Sequence, residues 1–375
     1  MTGGKGSIAL PQDAASHPAS NVEWWYCFAL LTGSRGGRYA VMASFFRVGE
    51  LLAPKGHYVI HSLIRLDRDG FESHSELDRT LAFQMAGLYL PAYLLKNPSD
   101  RHTWETYRRL LSNDLPPPHR YMQASAVQAA PTRLTYGRNT MTFRDDSRAG
   151  FELQLTSEAA HLRLNYVPRK PVSIIDEAGE LNGLRYYSST RNLAYGELHA
   201  EGRTETLRGE GWFDHQWGRS YGLLNGDGWD WFGLQLDDGR ELLVSRLRRE
   251  KAAAAVPGEP GAAAKLILPD GSVLTSERVL LRPARIWHSE ATGADYPVAW
   301  DLLLPDYAME LRIAALMDRQ EMPVLGPLRA IWEGVVSVRG EARPADGTAT
   351  GIAGYGFMEL VGYPRSVRAG PAPLG

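Results

Sequence analysis

Short runs of β-branched and aromatic residues, each closed by a turn pair, fill most of this chain. Asp69-Gly70, Asp238-Gly239 and Asp270-Gly271 each lie between two apolar runs, the pattern of successive β-hairpins. Between Trp229 and Leu236, strand alternation sends Trp229, Trp231, Gly233 and Gln235 to one face and Asp230, Phe232, Leu234 and Leu236 to the other. The run that begins at Glu23 divides in the same way, with Glu23, Trp25, Cys27 and Ala29 opposite Trp24, Tyr26 and Phe28. Each run therefore opens on an acid set among aromatic side chains. One stretch breaks the period of two: from residue 81 to about 130 the composition suits helix and includes Pro116-Pro117-Pro118. A mostly helical insertion is expected there, more readily a plug for one end of a barrel than a moving lid.

The two halves of the chain echo each other. Without a gap, the segment Trp25 to Gly33 lies over Trp231 to Gly239, and each is followed by an apolar strand ending in an arginine, Arg47 or Arg248. Duplication of a small barrel accounts for this, and a chain of 375 residues exceeds what one hydrophobic core usually holds. The expectation is an all-β chain of two antiparallel barrel domains, residues 1–207 and 208–375, with the helical insertion in the first. The low-complexity stretch from Lys251 to Lys265 reads as an exposed hairpin tip.

Composition narrows the function. With 41 basic and 43 acidic residues mixed along the chain and a formal net charge of −2, there is no field to collect nucleic acid or anionic lipid. Cys27 is the single cysteine, which leaves no disulfide framework and no thiolate cluster. No apolar run has the length of a membrane span, the start lacks the h-region of a signal peptide, and a cytoplasmic location is expected, with no protein partner evident. Walker, GxGxxG and GxSxG signatures are absent, so neither a nucleotide nor another cofactor is expected. His57 and His61 stand four apart on a strand without the HExxH context, and no metal site is expected. Six of the ten tryptophans crowd into three segments around Trp24, Trp212 and Trp229, which suits a pocket for a hydrophobic small molecule.

Two segments offer chemistry. Asp230 shares its face with three apolar side chains, an environment that favours the protonated carboxyl and hence a general acid; a structural carboxylate accepting indole or backbone N–H bonds fits the same pattern. The glycine-rich segment from Gly209 to Gly222 carries Asp214, His215, Trp217 and Arg219 and reads as an irregular link between the halves. His215 beside Asp214 could activate water, and indole faces could steady a carbocation. A turn pinned by its own hydrogen bonds is the simpler account of that segment.

Taken together, Glu23-Trp24-Trp25-Tyr26, Phe45-Phe46-Arg47, Tyr186-Tyr187-Ser188, the Gly209 to Gly218 segment and the Gly228 to Gly239 segment resemble the lipocalin-like family of carotenoid 1,2-hydratase and the bacterial attachment protein. Ile331 to Val336 and Gly354 to Leu360 fit the same pattern. The resemblance implies two calycin-type barrels side by side with a site near their junction, and reactions at carbon–carbon double bonds of hydrophobic molecules: hydration, or the templated cycloaddition of similar fungal Diels-Alderase proteins. The hydratase pattern of a His-x-Trp pair and a later aromatic-acid pair would fall on His215, Trp217, Trp229 and Asp230. Favoured roles are Asp230 as proton donor, His215 held by Asp214 as the group that positions water, Trp24, Trp217, Trp229 and Trp231 around the substrate, and Tyr26 and Arg219 at its polar end. A non-catalytic carrier of a hydrophobic ligand is the rival expectation.

Overall fold

A computed structural model describes residues 8, 12–51, 53–144, 150–180, 183–222, 227–248, 262–343 and 347–364. Thirteen strands form the first sheet: β1 (Val22–Gly33), β2 (Arg38–Val48), β3 (Gly56–Arg65), β4 (Gly70–Leu77), β5 (Arg120–Tyr121), β6 (Ser125–Ala129), β7 (Thr132–Tyr136), β8 (Asn139–Phe143), β9 (Phe151–Thr156), β10 (Ala160–Pro168), β11 (Ser173–Asp176), β12 (Leu184–Ala200) and β13 (Arg203–Gly218). Ten form the second: β14 (Gly228–Leu236), β15 (Glu241–Arg248), β16 (Ala262–Ile267), β17 (Val273–Ser276), β18 (Leu280–His288), β19 (Asp295–Leu304), β20 (Met309–Ala315), β21 (Glu321–Pro323), β22 (Ala330–Ala342) and β23 (Thr350–Val361). Each sheet curls over a core of its own into a half-barrel, in keeping with the two lipocalin-like barrel domains expected. The turn pairs Asp69-Gly70, Asp238-Gly239 and Asp270-Gly271 lie at the tips of β3/β4, β14/β15 and β16/β17.

Strand order places β1 and β13 side by side in the middle of the first sheet, and β14 and β23 in the middle of the second. The boundary expected at residue 207 falls inside β13, which pairs with both β1 and β12; the chain passes to the other sheet only between Gly218 and Gly228. The expected hairpin tip at 251–261 lies outside the described residues, and residues 262–265 belong to β16.

The central strands are buried on both faces. Trp25, Cys27 and Ala29 of β1 point into the first barrel with Phe213, Trp217 and Tyr187, whereas Tyr26 and Phe28 point the other way with Trp212 and Tyr186. In the second sheet Phe232, Leu234 and Leu236 fill the barrel while Trp231 faces outward with Phe357, Val335 and Ile331. Those two outward faces meet and form a third core between the barrels, where Phe28 stacks on Phe357 at 4.6 Å and Trp231 meets Tyr26 edge-on at 5.6 Å.

Within the expected insertion, helix is confined to α1 (Arg79–Gln84), a π turn (Met85–Tyr89), α2 (Leu90–Lys96) and α3 (Arg101–Leu111), and the remainder is the loop and short strands that follow. Asp78 caps α1 by accepting from the Leu81 N–H at 2.8 Å and is itself held by His57 at 2.7 Å. The insertion does not plug a barrel. Leu81, Met85 and Leu90 pack with Val22, Leu184, Trp24, Phe46, Tyr58 and Leu325, so it roofs the rim of the inter-barrel core. What enters the first barrel is the segment before β1, where Ala14 joins the core and its carbonyl accepts from the Trp25 indole at 3.0 Å.

At the opposite end of the junction the halves are tied by charge. Glu241, fully buried, accepts from Arg191 at 2.7 Å and Thr190 at 2.9 Å and pairs with Lys170. Removing one partner of a buried pair strands the others in low dielectric. Glu241→Ala is therefore expected to lower the unfolding free energy by about 3–5 kcal/mol in urea denaturation. Glu201→Ala, which deletes the exposed pair with Arg68, should leave the midpoint where it was.

Candidate functional site

Register sets two rows of side chains against each other across the junction. In the first sheet Tyr26, Asp214 and Ser188 are direct neighbours on β1, β13 and β12. In the second, Trp231, Glu359 and Glu333 are direct neighbours on β14, β23 and β22. The rows are joined by Tyr26, whose hydroxyl donates to Glu333 Oε1 at 2.6 Å over 307 residues of chain. Three carboxyl groups thus sit in an otherwise aromatic and aliphatic core.

Burial dominates their acidity. Asp214 is 2% exposed; desolvation lifts its carboxyl to about 7 even though Ser188 (2.5 Å), Tyr186 (2.6 Å) and the Trp212 indole (2.6 Å) all donate to it. Glu333, 1% exposed, is pushed well above the carboxylate range by desolvation and by the neighbouring Glu359, and the Tyr26 hydroxyl only partly offsets this. Desolvation also raises Glu359 to about 7, against one opposing hydrogen bond from the Trp229 indole at 2.9 Å. Glu359 and Trp229 are half-buried residues, whereas Asp214 and Glu333 are buried.

A second polar cluster lies inside the first barrel. Glu23 Oε1 faces His17 Nδ1 at 2.8 Å and His215 Nε2 at 3.1 Å, and Oε2 accepts from Arg47 at 3.3 Å. Burial alone would raise the Glu23 carboxyl, but the bonds from His17 and His215 outweigh it and hold it at about 2. Burial lowers His215, with the Glu23 charge opposing. Trp25 stacks on His215 at 4.7 Å and His17 on Trp217 at 4.0 Å. Among the described residues, His17, Glu23 and His215 are the group whose donor atoms converge closely enough to hold a metal ion.

The residues expected from sequence to form one site are thus divided among four places. Tyr26, Trp229 and Trp231 reach the junction, Trp24 lies at its roofed rim, and Asp214 joins them; His215 and Trp217 lie inside the first barrel; Arg219 is exposed. Asp214 does not hold His215, because the two are consecutive on a regular strand and face opposite sides. Asp230 points into the second barrel, where Arg246 donates to Oδ2 at 2.9 and 2.5 Å and the Tyr363 hydroxyl to Oδ1 at 2.8 Å, so it is tied up in a buried pair with Arg246. Glu333 and Glu359 went unmarked although each is an acid flanked by apolar residues on a strand, the same signal that singled out Asp230.

Paired half-barrels with a buried acid–aromatic junction define a two-domain calycin-type protein. The chain belongs to the AttH-like family, whose model matches residues 72–363. Among solved structures it resembles a protein assigned as AttH from Nitrosomonas europaea, at 23% identity and a TM-score of 0.70 over 96% of this chain and 98% of that one. Kievitone hydratase from Nectria haematococca shares the fold at 13% identity and a TM-score of 0.67 over 94% and 92% of the two chains. A curated relative, dehydratase asqC of Emericella nidulans, is 27% identical over 152 residues, 40% of this chain and 41% of that protein. No helix among the described residues is long and apolar enough to cross a membrane.

Carboxyl groups raised in the folded state stabilise it in their neutral form, fully below the unfolded value and less as pH rises through the folded one. With Asp214 and Glu359 both raised from ordinary values near 4 to about 7, stability should fall between about pH 4 and about pH 7. Urea unfolding followed across that range should show the decline in the native protein and a flatter profile in Asp214→Asn and in Glu359→Gln.

Proposed function

We propose that the protein is a lyase-type enzyme that adds water across a carbon–carbon double bond, or forms one by eliminating water, in a hydrophobic terpenoid or polyketide-like substrate at the inter-barrel junction, without a redox cofactor. The observation that carries this reading is Glu359: a desolvated carboxyl held at about 7 on a residue that is itself only half-buried, with two further acids nearby and the indoles of Trp229 and Trp231 beside it. A general acid works best when its pKa lies near the working pH. In the dehydrating direction Glu359 protonates the leaving hydroxyl, the C–O bond breaks, and Asp214 as carboxylate takes the proton from the adjacent carbon as the double bond forms; hydration is the reverse. Indole faces at Trp212, Trp229 and Trp231 favour the cationic character that develops between these steps. Trp24 and Trp229, two of the half-buried members of this core, are the rim through which the substrate would reach the acids. The names of the hydratase and dehydratase to which the chain is similar support this class of reaction.

The test is incubation of the full chain with prenylated phenols, polyenes and hydroxylated polyketides, with binding followed by tryptophan quenching and products by mass spectrometry for gain or loss of one water. Glu359→Gln should lower turnover by about 10²- to 10⁴-fold while binding persists. Ligands bound tightly and recovered unchanged from the native protein would instead make it a carrier. Asp230→Asn should act differently, weakening the fold through Arg246 with turnover per folded molecule retained.

A further inference from the structure

The cluster inside the first barrel poses a problem of donors and acceptors. His215 Nδ1 faces the Asp13 carbonyl at 2.9 Å; a carbonyl only accepts, so Nδ1 carries the hydrogen and Nε2 presents its lone pair toward Glu23 Oε1 at 3.1 Å. His17 repeats the arrangement: Nε2 faces the Asp13 carboxylate at 3.2 Å and Nδ1 faces the same Glu23 oxygen at 2.8 Å. Hydrogen bonds alone would need a separate hydrogen between Glu23 Oε1 and each ring, on two rings whose centroids are only 5.5 Å apart beside the fully buried Glu23. One divalent cation among the three inner atoms supplies positive charge at a single point and removes the conflict.

From this geometry we infer that His17 Nδ1, Glu23 Oε1 and His215 Nε2 form a binding site for a divalent transition-metal ion of the Zn²⁺ type. The three atoms lie within 4.8 Å of one another, and two of the separations, 2.8 and 3.1 Å, are close to the ~3.3 Å between ligands of a tetrahedral zinc with bonds near 2.0–2.1 Å. Imidazole and carboxylate are a ligand set that zinc accepts. The surroundings have the form such sites take. Each ligating imidazole places its other nitrogen on an oxygen of Asp13, one on the carboxylate and one on the carbonyl, while Arg47 and the His17 backbone N–H hold the Glu23 carboxylate. The ligands come from the segment before β1, from β1 and from β13, so the ion would also fasten that segment into the barrel. Three protein ligands leave a fourth position for water.

The site is independent of the junction acids, and its test needs no substrate. The full chain is stripped with EDTA and titrated with Zn²⁺ alone by calorimetry, then with Co²⁺ while visible absorption is recorded. One ion per chain, intense four-coordinate Co²⁺ bands and a rise in Tm are expected. His17→Ala changes only a partly exposed side chain before β1 and should abolish all three effects with the circular dichroism unchanged. Asp13→Ala should weaken Zn²⁺ binding about 10- to 100-fold, while His199→Ala, an exposed histidine on β12, should retain it. Failure of the native protein to take up Zn²⁺, or undiminished uptake by folded His17→Ala, would overturn the assignment.

Discussion

Everything in this molecule depends on strands that must bury both faces at once. An antiparallel sheet ordinarily turns one face to a core and the other to water. Here β1, β12, β13, β14, β22 and β23 each serve a barrel on one side and the junction on the other. With a side-chain period of two, a slip of one residue would send every aromatic residue to the wrong core. The same constraint desolvates the acids, since a carboxyl on the junction face has another sheet above it where an ordinary barrel would have solvent.

Underneath the divergence of the halves lies a shared device. Glu23 and Arg47 are direct cross-strand neighbours at the opening of the first barrel, and Asp230 and Arg246 occupy the corresponding positions in the second. Both acids point inward and both are fully buried. This equivalence puts Glu23 over Asp230, one residue away from the ungapped match of Trp25 to Trp231, and the offset has meaning: Trp25 fills a barrel while Trp231 faces the junction. Around one pair two histidines have gathered, and around the other a tyrosine. A common scaffold was thus elaborated in different directions.

Much of the fold was legible in the sequence because alternation and turn pairs are local signals. Faces were assigned correctly for the strands beginning at Glu23 and Trp229, and the helical insertion was placed near its true start. The segment from Gly209 to Gly218 was misread because its glycines suggested a loop. In the strand they answer to packing: a Cβ on Gly211 would come within 2.4 Å of the Tyr166 ring, and one on Gly209 within 1.9 Å of the Leu30 carbonyl oxygen. Recognised as strand, that segment separates Asp214 from His215 by alternation alone. Pairings such as Tyr26 with Glu333, or His17 with His215, join residues far apart in the chain and carry no local signature at all.

The junction also limits how such a protein can change. Barrels of independent single domains can be exchanged between relatives as modules. In this chain each half would carry into solvent a face bearing Phe28 and Trp212, or Trp231 and Phe357, together with acids that water would ionise. A chimaera assembled from the halves of two relatives must therefore match both facing rows together, and natural variation should appear as correlated change across that seam, the two half-barrels changing as one unit.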